Sequence, residues 1–427
     1  MTIDSPPLRV DLTVLIPLAD DDDTWPDMAT RAARVARGLG IRYEVIVAAP
    51  RGIIPLASGP TPGVRWVEAA GPGYGAAFQA GVQAARGQYI LTLNTDYAGE
   101  PTFIRDLWGW RHEAEVIIAS RYVPGSRVDM TPPYRVFSRA LNAGFSRGLS
   151  LHVRDMSSAY RLYHAGALRR EALQARDYDV LQEVLVKAYA DGWRVMEIPF
   201  HFTAAPQHSA GERAARFGLA YLRTFSQLWG VRNSILTADY DDRAHDSVIP
   251  LQRYWQRQRY QHIVELISSE GPVLDVGCGS SRIIGALPPG SVALDVLLRK
   301  VRYARKFGRP LVQGTGFQLP FADDSFPCVV CSQVIEHVPM ASPILGELCR
   351  VLKPGGRLIL GTPDYAQWQW VTMEKAYGLA APGGYADEHI SHYTREMLTD
   401  LFAARGFRLE DTRYILKGEL ILAFRKP

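Results

Sequence analysis

Three short stretches of this chain carry residue types at spacings that could do chemistry. The first is LDVGCGSS, residues 274–281, an apolar strand-like run followed by Gly277 and Gly279 and then a helix-like segment. Glycines at a strand–helix turn let the backbone come close to a ligand lying across the strand's end. A dinucleotide loop would carry a further glycine three residues on, to seat a pyrophosphate at the helix N-terminus. Arg282 stands there instead, and Asp275 precedes the glycines. The next strand-like run, SVALD, ends in Asp295, an acid able to accept hydrogen bonds from two ribose hydroxyls. The second stretch, QYILTLNTDY, ends a buried strand in Asn94-Thr95-Asp96. Oxygens at such a strand tip suit a divalent cation and its diphosphate, while Asn and Asp also simply make turns. The third is YADEHISHYT, residues 385–394. His389 or His392 there could act as a general base, because imidazole titrates near neutrality, or could cap the next helix. With Asp387 the two histidines would also make a metal-ligand set.

These groups need strands to present them, and the pattern supplies strands. LTVLIPL (12–18) is a buried-strand run, and Trp25-Pro26-Asp27 opens a helix with Met28, Ala32, Val35, Ala36 and Leu39 on one face. EVIVAA, GVRWVE, a small-residue helix and QYILTLN follow, an alternation that predicts an α/β, doubly wound sheet. With 427 residues the chain is too long for one ordinary core, and a second β/α alternation starts at Val273. The polar, acidic stretch between predicts domains at 1–235 and 262–427 joined by a linker at 236–261. A net charge of +4 without a basic, aromatic-interleaved run argues against a nucleic-acid partner. No signal-like start and no apolar run of about 18 residues appear, so a cytoplasmic protein is expected. The Cys328/Cys331 pair sits in FPCVVCS, which reads as a buried strand rather than a zinc or redox pair. The 212–229 segment mixes Arg213, Arg216 and Arg223 with Phe217, Tyr221, Phe225 and Trp229. It reads either as a helix lying peripherally on the inner membrane face or as one packed on its own core. Oligomeric state leaves no trace in the sequence.

Residues 262–427 resemble the class I S-adenosylmethionine-dependent methyltransferases. LDVGCGS matches the family's first motif, Asp295 its ribose acid, Leu319 to Phe326 its "LPF…DSF" segment, and Glu336-His337-Val338 its "EHV" after strand four. The resemblance implies a Rossmann-like fold and S-adenosyl-L-methionine as cofactor, contacted by Asp275, Gly277, Gly279, Asp295 and Thr315. It implies transfer of the sulfonium methyl by in-line displacement, in which positioning does most of the work. Two departures stand out: Thr315 where the family carries an acid in its adenine-contacting turn, and Pro327 where it carries Asp.

Residues 10–230 resemble the family 2 glycosyltransferases of GT-A fold, in the branch of the dolichyl-phosphate mannosyltransferases. The resemblance puts Asn94 and Asp96 on the Asp-x-Asp motif, implying Mg²⁺ or Mn²⁺ and a catalytic place for Asp96. It puts Arg121 on the Ser-Arg-Tyr motif, Asp155, Ser157, Ser158 and Arg161 on the "D.TSGFR" motif, and Gln182-Glu183 on the acceptor-facing helix, all as substrate-binding groups. Its implied partners are a nucleotide sugar and a saccharide or lipid-linked acceptor. The first strand ends in PLADDD instead of "PTYNE", the second in VAAPRG instead of "VDDGS", and the basic stretch after the last strand is reduced to Arg213 or Arg216. Two readings stay open. Asp20 to Asp23 replace the lost acids and the domain moves a sugar, or the domain holds a glycan or lipid-linked substrate for the methyltransferase.

Overall fold

LTVLIP forms β1 (Leu12–Pro17), buried from end to end as a central strand of a parallel sheet must be. The computed structural model describes residues 10–20, 22, 24–53, 63–169, 173–203, 210–267, 271–380 and 389–427, with backbone only at 134, 210–217 and 376–380. The chain divides into two units, Met1–Arg232 and Asn233–Pro427.

In the first unit β1 is followed by β2 (Tyr43–Pro50), β3 (Val64–Ala69), β4 (Tyr89–Thr92), β5 (Val116–Ser120), β6 (Arg127–Asp129), β7 (Arg161–His164), β8 (Val195–Pro199) and β9 (His201–Thr203). Seven of these make one sheet in the order β3-β2-β1-β4-β7-β5-β8, and β6 pairs with β9. Only β7 runs antiparallel to its neighbours β4 and β5. The strand order reverses between β1 and β4, so a crevice opens where their C-terminal ends diverge. Side chains alternate between the two faces: Leu15, Ile46 and Ile90 enter one core, while Val14, Ile16, Val45 and Leu91 enter the other. The helix Trp25–Arg37 closes the second core with Trp25, Met28, Ala32 and Val35, the helical spacing expected from the sequence.

The second unit adds β10 (Val273–Val276), β11 (Val292–Asp295), β12 (Leu311–Gln313), β13 (Phe326–Ser332), β14 (Leu352–Pro363), β15 (Arg408–Ile415) and β16 (Glu419–Arg425). Their order is β12-β11-β10-β13-β14-β16-β15, with β16 antiparallel to both neighbours. The reversal now falls between β10 and β13, which brings LDVGCGSS beside the turn after β13. Cys328 and Cys331 are buried free cysteines within β13.

The stretch expected to link two domains is built into this second unit. Residues Tyr240–His245 and Pro250–Leu266 are helices. Asp242 accepts from Arg282 Nε at 2.5 Å and Tyr303 Oη at 2.5 Å, and also from Lys306. Trp255 and Arg259 of the longer helix both bind the buried Glu419 on β16, Arg259 Nε at 2.6 Å. An acidic segment is solvated when alone; here cations across the chain offset the cost of burying it.

Candidate active sites

In the second unit, Asp295 ends β11 with its carboxylate accepting Gly279 N–H at 2.9 Å and Leu297 N–H at 2.8 Å. The same oxygens keep lone pairs for hydroxyl donors. Burial raises the Asp295 carboxyl, offset in part by those two amides. Asp275 is buried beside it and is pushed up to about 7, first by burial and then by the Asp295 charge. Gly277 and Gly279 have φ of 72° and 55°, the left-handed region that favours glycine. A Cβ on Gly277 would lie 2.2 Å from Val334 Cγ2, and one on Gly279 would lie 2.7 Å from Asp241 Oδ2. The room that these glycines free is thus taken up at least in part by the chain itself. Asp241 accepts Ser280 N–H and Ser280 O–H, both at 3.0 Å, and Lys300 Nζ at 3.0 Å. Burial would raise that carboxyl, but Lys300 and Ser280 hold it down to about 2. Thr315 lies exposed after β12, its hydroxyl accepting Phe317 N–H at 3.2 Å, so it shapes the turn.

A second cluster gathers at the same end of the sheet. His389 has a buried side chain, with Nδ1 2.8 Å from Glu374 Oε1 and 2.9 Å from Tyr365 Oη. His392 is exposed and stacks on Tyr365 with ring centroids 4.0 Å apart. His337 lies 5.0 Å from His389, centroid to centroid. Glu336 is wholly buried, accepts from Thr362 Oγ1 at 3.2 Å, and is pushed up to about 8 by burial and by Glu419. Asp387, the third member of the expected histidine metal set, lies outside the described residues. The structure instead groups His389 with Glu336 and His337. Glu374 and Tyr365 went unnoticed in the sequence because nothing local marks them; the "EHV" motif was the only signal for Glu336 and His337.

In the first unit Asn94 and Asp96 follow β4 at the switch point. Asn94 is buried, and its Oδ1 has no hydrogen-bond partner among the described residues. Asp96 accepts from the Tyr160 hydroxyl. Thr95, between them, donates to Asp22, which arrives from the loop after β1 and also accepts Thr24 N–H at 2.8 Å. Asp21 and Asp23 lie outside the described residues, as do the side chains of Arg213 and Arg216. An orphaned amide oxygen beside a carboxylate fits a hard divalent cation. At the end of β2, Arg51 pairs with Glu68 at 3.0 Å on the surface.

The residues matched to substrate-binding motifs are tied into the fold. Arg121 chelates Asp155 through Nε at 2.8 Å and Nη2 at 2.7 Å, and its own N–H adds a third bond at 2.9 Å. Burial raises Asp155, but Arg121 outweighs it and holds the carboxyl below its usual range. Ser158 donates to Ala119 O at 2.9 Å. Arg161 is wholly buried and donates to Leu181 O at 2.8 Å and Met156 O at 2.6 Å. Glu183 caps the 174–175 loop, accepting Gln174 N–H at 3.0 Å and Ala175 N–H at 2.9 Å, and pairs with Lys187 at 2.8 Å. Gln182 is buried, with Nε2 lacking a hydrogen-bond partner among the described residues. Of this set, Gln182 Nε2 and Arg161 Nε are buried polar atoms without a hydrogen-bond partner among the described residues, while Ser158, Arg161 through its other nitrogens, and Glu183 bind main chain.

Comparison with known proteins agrees with this division. A family model described as "Glycosyl transferase family 2" matches residues 57–175, and one described as "Methyltransferase domain" matches residues 274–360. Methyltransferase GfsG of Streptomyces halstedii is 29% identical over 161 residues, 33% of this chain and 58% of its own length. The malonyl-[acyl-carrier protein] O-methyltransferase of Methylococcus capsulatus is 29% identical over 188 residues, 41% of this chain and 66% of its own. The chain therefore spans under two thirds of either relative. A solved SAM-dependent methyltransferase from Aquifex aeolicus is 19% identical, with a TM-score of 0.30, covering 39% of this chain and 87% of that one. The chain joins a family 2 glycosyltransferase domain to an S-adenosylmethionine-dependent methyltransferase domain.

Proposed function

We propose that the two domains carry out successive steps on one saccharide or lipid-linked saccharide, sugar transfer in the first unit and methyl transfer in the second. The methyl-transfer half rests chiefly on Asp295, held by Gly279 and Leu297 at the tip of β11 with Asp275 behind it. S-adenosylmethionine supplies an activated methyl group when bound. Asp295 would take the ribose hydroxyls, the 277–280 backbone the amino-acid end, and the Thr315 turn the adenine. The acceptor side falls to His389, fixed by Glu374 and Tyr365, with His392 on the face of Tyr365.

For the first unit, Asp22 hydrogen-bonded to Thr95 supports an active donor site, because it returns a carboxylate to the crevice beside Asn94 and Asp96. Those two residues would hold Mg²⁺ or Mn²⁺, which offsets the charge of a departing nucleoside diphosphate. A phosphate acceptor is already anionic and needs little proton transfer. A specific observation favours the other reading, a glycan- or lipid-holding module: Tyr160 donates to Asp96, and the β2 end presents Arg51 instead of an acid. No helix among the described residues is long and apolar enough to cross a membrane. Exposed Leu219, Leu222 and Trp229 beside Arg223 support peripheral contact with an anionic membrane face.

Calorimetry with S-adenosylhomocysteine tests the methyltransferase half. We expect binding to the native chain, weakened about 100-fold by Asp295→Ala, the size of losing a charged acceptor of two hydroxyls. No binding to the native chain would sink the assignment. For the first unit, UDP or GDP with Mn²⁺ should bind, and Asp96→Ala should abolish both that binding and sugar transfer. If neither nucleotide binds, the holding-module reading replaces the transferase.

A further inference from the structure

We propose that Glu336, His337 and His389 form a divalent-metal site of the zinc class, with an oxygen of the methyl acceptor as its fourth ligand. One ligand atom from each residue lies within 4.8 Å of the other two. Bonds of about 2.1 Å at a tetrahedral centre set ligand atoms roughly 3.4 Å apart, so side-chain movement of the order of 1 Å closes the site. Two features point to an ion there, and a third holds the ligands in place. Glu336 is wholly buried, and its Oε1 has no hydrogen-bond partner among the described residues, a costly state for a carboxyl oxygen unless something charged meets it. His389 already has the support that metal-bound histidines use, one ring nitrogen held by a carboxylate: Nδ1 lies 2.8 Å from Glu374 Oε1. The two ligand segments are also sewn together, Glu336 O accepting Ile390 N–H at 2.8 Å and Ser391 N–H at 3.0 Å, and Val338 O accepting Ser391 Oγ at 2.6 Å.

Two imidazoles and one carboxylate favour zinc and its first-row neighbours over magnesium or calcium, which prefer all-oxygen sets. Three protein ligands leave a position open, as catalytic zinc sites do. An acceptor hydroxyl bound there gives up its proton to water near neutral pH. The oxygen then forms its bond to the methyl carbon as the carbon–sulfur bond breaks, and that electron pair stays on sulfur, leaving neutral S-adenosylhomocysteine. His389 on this account is a ligand rather than a base. This use of the metal rests on the methyltransferase reading; the metal site itself does not.

The test uses the untagged full chain, equilibrium dialysis against Zn²⁺, and the visible spectrum of the Co²⁺ form. We expect one equivalent of metal, without the thiolate charge-transfer bands that a cysteine site would give. Glu336→Gln, which keeps the side chain's shape, and His337→Ala should each weaken binding at least about 100-fold. Glu374→Gln, outside the ligand set, should weaken it about 10- to 100-fold. S-adenosylhomocysteine binding, measured in parallel, should persist in all three and so reports that they fold. Failure of the native chain to bind stoichiometric metal, or binding that survives Glu336→Gln and His337→Ala, overturns the proposal. Metal binding without S-adenosylhomocysteine binding would instead overturn the methyltransferase reading and leave the site standing.

Discussion

Replacing Asp155 by alanine is expected to destabilise the first unit by about 3–5 kcal/mol, the usual cost of leaving a buried charge without its partner. Asp155 is wholly buried and takes three hydrogen bonds from Arg121, whose side chain is only 10% exposed. Its own N–H donates to Glu197 on β8 at 2.9 Å, so the pair anchors the segment that precedes β7 against β8. That segment leads to Tyr160, which donates to Asp96, so loss of the pair should also loosen the donor crevice. Urea denaturation followed by a first-unit probe such as Trp25 or Trp66 would measure the cost. A double replacement, Arg121→Met with Asp155→Leu, should recover most of it, because the penalty belongs to the orphaned charge and not to the lost attraction. The pH sign follows from a folded carboxyl held below its usual range. The pair's stabilisation is present above the unfolded value near 3.8 and is lost as pH falls through the folded one. The native chain should therefore lose stability in acid faster than Asp155→Ala. Equal slopes, or a cost below about 1 kcal/mol, would mean that Arg121 finds another partner.

The parts of the fold legible in the sequence are those set by local pattern. Val14, Ile16, Val45 and Val47 lie on one sheet face because period-2 alternation dictates it, and Asp295 ends its strand where the apolar run stops. Residues whose role depends on a distant partner were misread or missed. Asp241 and Asp242 look like solvated linker acids until Lys300, Lys306, Arg282 and Ser280 arrive from 39 to 64 positions away. Arg161 matches a substrate motif, and its bonds to the main-chain carbonyls of Leu181 and Met156 are ones that no sequence pattern reveals. Gly277 and Gly279 are legible as a turn, but not as the places where Val334 and Asp241 press in. Motifs locate a site well; they do not say which of their members face the ligand and which hold the frame.

In the second unit, Asp275→Asn should remove a pH dependence of stability worth up to about 4 kcal/mol between acid and mildly alkaline solution. Asp275 is pushed up to about 7 by burial and by Asp295, from an ordinary value of 3.8. Below pH 4 the folded and unfolded chains both carry its proton, and burial of the neutral acid costs little. Between pH 4 and 7 the unfolded chain loses the proton while the folded one keeps it, so folding stability falls as pH rises. Above 7 the folded chain holds the buried anion and the full penalty remains. Thermal unfolding of the second unit should thus shift down from pH 5 to pH 8 in the native chain and much less in Asp275→Asn. Parallel curves for the two would show that Asp275 ionises freely when folded. A fold gains nothing in stability by burying two neighbouring acids at the end of its central strands. Asp275 and Asp295 are retained at a cost at the sheet's switch point, and perturbed acids gathered there mark a ligand site rather than a core. S-adenosylmethionine carries a positive sulfonium and a positive amino group, and either one nearby would favour the ionised acids and relieve that cost. Cofactor should accordingly stabilise the native chain more at pH 8 than at pH 5, and the gain should shrink in Asp275→Asn.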